Sequence, residues 1–208
     1  ERIHAMPILL VMATGHRGQV ADLQRGQSLV EHLLLAGFDL FMLEWAPPGA
    51  DERYLKYENY ILDFLPRAAA RVRRESGSDA LSVIGYRSGG SFALIWAALN
   101  PDRGPRNLVC VATPYDYSRL QLQQAWCDRE SFDVDTLVDR HGCCPTDLMD
   151  GVFALAADGL SVEEEIGLWD RLRATPDAPA VRRYIRWMGD MLPQAGEYFR
   201  QTVKQLMW

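Results

Sequence analysis

Gly85-Tyr86-Arg87-Ser88-Gly89-Gly90 is the stretch of this sequence best suited to covalent chemistry. The apolar run Leu81–Ile84 precedes it, and the Ala-, Leu- and Trp-rich segment Ser91–Leu99 follows it up to Asn100-Pro101. An apolar run, a glycine-flanked turn and a helix-forming segment predict strand, sharp turn and helix. Such a turn lifts the side chain at its tip clear of the backbone, and small neighbours let the helix pack closely on the strand. In the G-x-S-x-G pattern of a nucleophile elbow the third residue attacks the substrate. Here that residue is Arg87, which stays protonated at any ordinary pH and cannot attack a carbonyl. The scaffold for a nucleophile is predicted, and the nucleophile position is substituted.

Other residues could supply the missing chemistry. Ser88 becomes a displaced nucleophile only if the elbow shifts by one residue, which puts Tyr86 where a small residue is needed; otherwise its backbone N–H stands where an oxyanion hole would be. Ser91 has small neighbours at better spacing, yet it needs the strand to run on through Arg87; the alternative is a serine at a helix N-terminus. His141 is the only histidine after the elbow, so Asp116 or Asp139 could complete a nominal Ser, Asp, His order. Too little chain separates these residues for the sheet strands that should carry an acid and a base, and a surface position is the alternative for His141. His141-Gly142-Cys143-Cys144 could be a fragment of a metal site, but adjacent cysteines rarely chelate one tetrahedral zinc, so no metal and no cofactor is expected. Thr14, Gly15, His16 and Arg17 form a polar loop after the first apolar run, where α/β proteins place ligands. They are expected to line a residual pocket, with a plain surface loop as the alternative.

The elements that would position these residues can be read in order. Ile8–Met12 is a buried-strand run ending in the loop Thr14–Gln19. Ser28 and Glu31 have capping-box spacing at the start of a helix running to Ala36 and stopped by Gly37. Asp39–Glu44 predicts a second strand. Tyr57, Tyr60, Ile61, Phe64, Leu65, Ala68 and Val72 recur at helical spacing toward Gly77, with a kink or break expected at Pro66. The elbow strand follows, and Asn107–Ala112 predicts a fourth strand. Strands alternating with helices at this spacing imply βαβ units and a parallel sheet. After Tyr115 the pattern reads as helical throughout: Leu148–Leu155, Ser161–Leu172, Val181–Met191 and Gly196–Trp208, with 174–179 the most linker-like stretch.

Bulk properties narrow the function classes. The 208 residues are 48% hydrophobic and 24% charged, which predicts one globular domain with a sizeable core. A net charge of −6 with scattered arginines gives no electrostatic case for nucleic acid. The longest apolar runs fall far short of the roughly 20 residues a membrane span requires. No secretory signal is visible, so a cytoplasmic location and four reduced thiols are expected.

The segments Asp22–Trp45, GYRSGG, NLVCVATPYDYS (Asn107–Ser118), LWDRL and RQTVKQL together resemble polyhydroxyalkanoate synthases, best the class whose catalytic subunit works with an accessory subunit. The resemblance implies an α/β-hydrolase core, here partial with about four strands over residues 1–117, and a helical cap over residues 118–208. It also implies a cysteine nucleophile in G-x-C-x-G-G that takes acyl groups from (R)-3-hydroxyacyl-CoA and joins them into polyester at an intracellular granule. Arg87 matches the cysteine, and the family's Asp and His lie after the cap. A synthase-like, truncated and non-catalytic chain with a binding or assembly role is therefore expected. The alternatives are an active hydrolase or acyltransferase using Ser88, and a granule-associated structural protein. Acyl-CoA or polyester are the implied ligands. A second copy, a synthase or an accessory subunit is the implied partner, because nothing of strand character follows the fourth strand to cover its edge.

Overall fold

The computed structural model describes residues 2–119, 127–148, 182–183, 186–187 and 189–208. The elements in chain order are β1 (Ile8–Val11), β2 (Asp22–Gln24), β3 (Gln27–Ser28), α1 (Leu29–Leu35), β4 (Leu40–Leu43), α2 (Leu65–Ser76), β5 (Ser82–Tyr86), α3 (Ser88–Leu99), β6 (Asn107–Val111), α4 (Val134–His141), β7 (Cys143–Cys144), β8 (Gln194–Ala195) and α5 (Gly196–Gln201). The main sheet has the order β4-β1-β5-β6, and every pairing in it is parallel. Counted along the chain this is second, first, third and fourth strand of the sheet, and it buries the elbow strand between two neighbours.

Register divides the sheet into two faces. Leu9, Val83 and Leu108 lie level with one another on one face, and Leu10, Ile84 and Val109 on the other. Right-handed crossovers send α2 and α3 to the first face, because both connections run in the same direction across the sheet. The main core forms there from Leu9, Val11 and Val83 against Leu65, Ala69, Val72, Phe92 and Trp96. Fully burying a side chain such as Leu65 or Phe92 is worth roughly 1.5–3 kcal/mol. The second face carries a smaller cluster of Leu10, Met12 and Ala21, with Val30 of α1 packed on it.

Local chemistry explains the boundaries. Ser28 Oγ accepts from Glu31 N at 2.8 Å and caps α1, while the Glu31 carboxylate accepts from Gly26 N. Gly26 thus takes the place of the Ser28 N–H in the reciprocal half of the box. The irregularity expected at Pro66 is a change of winding: Asn59–Phe64 opens into a π-helical turn before α2 continues to Ser76. Pro66 has no N–H to return to the preceding turn, and its ring crowds the carbonyl four residues back.

Two expectations are corrected. The chain after Tyr115 is not all helical, since β7 pairs antiparallel with β8. Helix does not run to Met191 either: 182–183 and 186–187 are helical, but Met191 bridges antiparallel to His16. Pro193 keeps a helix from continuing, because a proline disfavours helical geometry in the residue before it, here Leu192. Gly196–Met207 is helical as expected, as α5 and a following π-helical turn. The helix expected over Leu148–Leu155 is seen only at 146–148, and its remainder, Ser161–Leu172, 174–179 and residues 181, 184–185 and 188 lie outside the described residues.

Candidate functional site

Arg87 stands alone between β5 and α3 with φ 48° and ψ −123°, a backbone conformation that costs a non-glycine residue about 1–3 kcal/mol. Its N–H donates to Val111 O at 2.9 Å and its carbonyl accepts from Gly90 N at 2.9 Å, so both neighbouring elements hold the turn. A Cβ on Gly85 would stand 2.3 Å from Gly90 Cα, and one on Gly89 would stand 2.3 Å from Val11 O. Only glycines let helix, turn and β1 come this close. The elbow is therefore built in the register that puts Arg87 at its tip.

Arg87 is half-buried, and its Cζ lies 5.7 Å from the Tyr86 ring centroid and 5.9 Å from that of Trp187. His16, 4% exposed, packs on the same Trp187 ring with centroids 4.7 Å apart. Burial, and then the Arg87 charge, lower the His16 imidazole to about 4, so it is neutral at pH 7.

Ser88 begins α3. Its Oγ accepts from Thr14 N at 3.0 Å and lies 3.1 Å from Thr14 Oγ1, which in turn reaches the Tyr198 hydroxyl at 3.5 Å. Burial pushes the Tyr198 phenol up to about 12, so it is a proton donor and no base at neutral pH. Ser88 thus sits in a network of hydroxyls. Ser91 Oγ donates to Pro114 O at 2.6 Å inside α3, well past the end of β5 at Tyr86. It fastens the helix to the loop after β6.

The residues of the nominal triad are not brought together. His141 ends α4, Asp139 is bound by Arg200 at 2.6 Å, and Asp116 accepts from Ser118 N at 3.1 Å. Cys144 is buried in an apolar cluster with Cys127 and Phe199. Among the described residues no group of three or more His, Cys, Asp or Glu could hold a metal ion.

The loop Thr14–Arg17 splits in two. Thr14 and Gly15 line a small cleft with Trp45, Tyr60, Leu192 and Gln194, whereas Arg17 turns outward and pairs with Asp190 at 3.0 Å. Sequence reasoning missed the partners from the far end of the chain: Trp187, Asp190, Leu192 and Tyr198. Only the aromatic and proline content of 187–198 could have drawn attention to them, because no spacing rule links residues some 170 positions apart, the separation of Arg17 and Trp187.

The model of the alpha/beta hydrolase fold family matches residues 7–139, from β1 through the elbow and on into α4. This chain belongs to that family. Within it, the chain is polyhydroxyalkanoate synthase-like. It is 32% identical over 204 residues to the poly(3-hydroxyalkanoate) polymerase subunit PhaC of Allochromatium vinosum, covering 96% of this chain and 56% of that one. It is 30% identical to the PhaC subunit of Synechocystis sp., covering 96% and 54%. The chain thus spans about half the length of the curated relatives it matches. A carboxylesterase structure from the thaumarchaeon Nitrososphaera gargenis superposes with a TM-score of 0.54 at 15% identity, covering 98% of this chain and 65% of that one, and shares the fold. In this hydrolase-fold chain, Arg87 stands at the tip of the turn between β5 and α3.

Proposed function

We propose that this chain is a synthase-like module that forms no covalent acyl intermediate and serves in binding or assembly. The observation that carries this reading is Arg87 in the strained conformation at the tip of the elbow. A family cysteine there would attack a thioester carbonyl as a thiolate and release the CoA thiolate; a guanidinium has no electron pair to form the acyl bond. The Ser88 hydroxyl, engaged with Thr14, supports the same reading over the alternative that uses Ser88. Acyl-CoA or polyester as ligand, and the surface of a polyester granule as location, rest on the resemblance to the polymerase subunits.

The test is turnover and labelling. The purified chain is expected to release no CoA from 3-hydroxybutyryl-CoA and to resist fluorophosphonate and thiol-directed active-site probes. Stoichiometric labelling that disappears in Ser88→Ala would overturn the proposal in favour of an active hydrolase or acyltransferase.

An assembly role is supported by the free edge of the sheet. Among the described residues no strand pairs with the outer side of β6, where Val109 is 52% and Val111 41% exposed; Leu99 of the neighbouring α3 is 58% exposed. An uncharged edge flanked by apolar side chains is a site that proteins normally cover. Light scattering across a dilution series is expected to show self-association or capture of a synthase or accessory subunit. A stable monomer at micromolar concentration with no affinity for either would remove assembly from the proposal.

A further inference from the structure

Among the described residues, the Arg87 guanidinium meets the ring of Trp187, which belongs to a segment remote in sequence. Trp187 and residues 189–195 return along the loop that follows β1. Trp187 Nε1 donates to Arg17 O at 2.6 Å, and Leu192 N donates to Gly15 O at 2.7 Å. Met191 bridges to His16, and Asp190 pairs with Arg17 on the outside. Beyond these, Gln194 lies against Gly15, where an added Cβ would come 2.9 Å from Gln194 Nε2. On the inner side the Trp187 ring is met by both His16 and the Arg87 guanidinium.

We propose that Arg87 is a tie: from the tip of the elbow it anchors a strap made of Trp187 and residues 189–195, and keeps small molecules from reaching the turn. A flat guanidinium near two aromatic rings suits this, since it is weakly hydrated and attracted to ring faces, whereas an ammonium is a compact and strongly hydrated charge. The neutral His16 adds packing to the other contact of Trp187 without a second positive charge beside Arg87. Trp187 lies 100 residues beyond Arg87 in the sequence, so the tie joins β5 and α3 to the segment that leads into β8 and α5. The inference deepens the non-catalytic reading, but its test measures access to the elbow, not turnover, so each can fail without the other.

The reporter is Ser88→Cys in a Cys110→Ser, Cys143→Ser background, which leaves Cys127 and Cys144 as buried thiols. The rate of its modification by methyl methanethiosulfonate is compared with Arg87 present and with Arg87→Ala or Arg87→Lys. Loss of the two ring contacts is expected to raise the rate about tenfold in Arg87→Ala, and Arg87→Lys is expected to restore little of the protection. A separate measurement leaves the elbow intact: Asp190→Asn, at an exposed ion pair, is expected to speed tryptic cleavage after Arg186 about two- to threefold. Equal modification rates for Arg87 and Arg87→Ala in equally folded proteins, or protection fully restored by lysine, would overturn the tie. So would unchanged cleavage after Arg186 in both Asp190→Asn and Arg87→Ala.

Discussion

Arg87 carries two separable energies, one in its backbone and one in its side chain. Glycine relaxes the φ 48° turn and alanine does not, while both remove the guanidinium. Arg87→Gly is therefore expected to be about 1 kcal/mol more stable than Arg87→Ala by urea denaturation, and equal stabilities would show that the turn is unstrained. His16 offers a second handle. Its imidazole falls from 6.5 to about 4 on folding, so the unfolded chain binds the extra proton more tightly. Its contribution is fully present above pH 6.5 and is lost as pH falls toward 4. The stability difference between wild type and His16→Gln should shrink by about 2 kcal/mol between pH 7 and pH 4.5, measured by denaturant titration at each pH. A pH-independent difference would mean that His16 is not held neutral. The substitution at the elbow was legible because the turn has a fixed register and Arg87 has fixed chemistry. What surrounds Arg87 was not, because Trp187 arrives from a part of the chain about 100 residues away and carries no positional signal.

At the level of elements, the strand–turn–helix unit is held by one ring more than any other. Phe92 of α3 stacks on Tyr60 with centroids 5.1 Å apart and meets Trp45, Tyr57 and Tyr198 edge-on at 5.6–5.8 Å. Phe92→Ala is expected to cost about 3–5 kcal/mol in thermal or denaturant unfolding, and a cost under 1 kcal/mol would mean that this aromatic cluster does not support the elbow. The four strands of the sheet and α1 to α3 could be anticipated because apolar runs and helical periodicity are local. The two-residue strands β7 and β8 could not: Cys143–Cys144 and Gln194–Ala195 have no alternating pattern, and pairing alone makes them strands. The same holds for Met191, where the sequence continued a helical rhythm and the bridge to His16 decided otherwise.

For the whole molecule, the arrangement of the core sets an order of events. Ala195 and Tyr198 belong to the cluster built on Leu9, Val11 and Val83, and Tyr198 meets Thr14 across 184 residues of sequence. During synthesis, β1, β4, β5 and β6 emerge long before the residue that closes their aromatic cluster. Tyr57, Tyr60 and Phe92 must therefore wait, partly uncovered, until α5 leaves the ribosome, which favours slow, late-closing folding and dependence on holding chaperones. Sites where the ribosome pauses after β6 would lengthen that wait and should lower the yield of folded chain, so tolerance to synonymous codon changes is set by where Tyr198 sits.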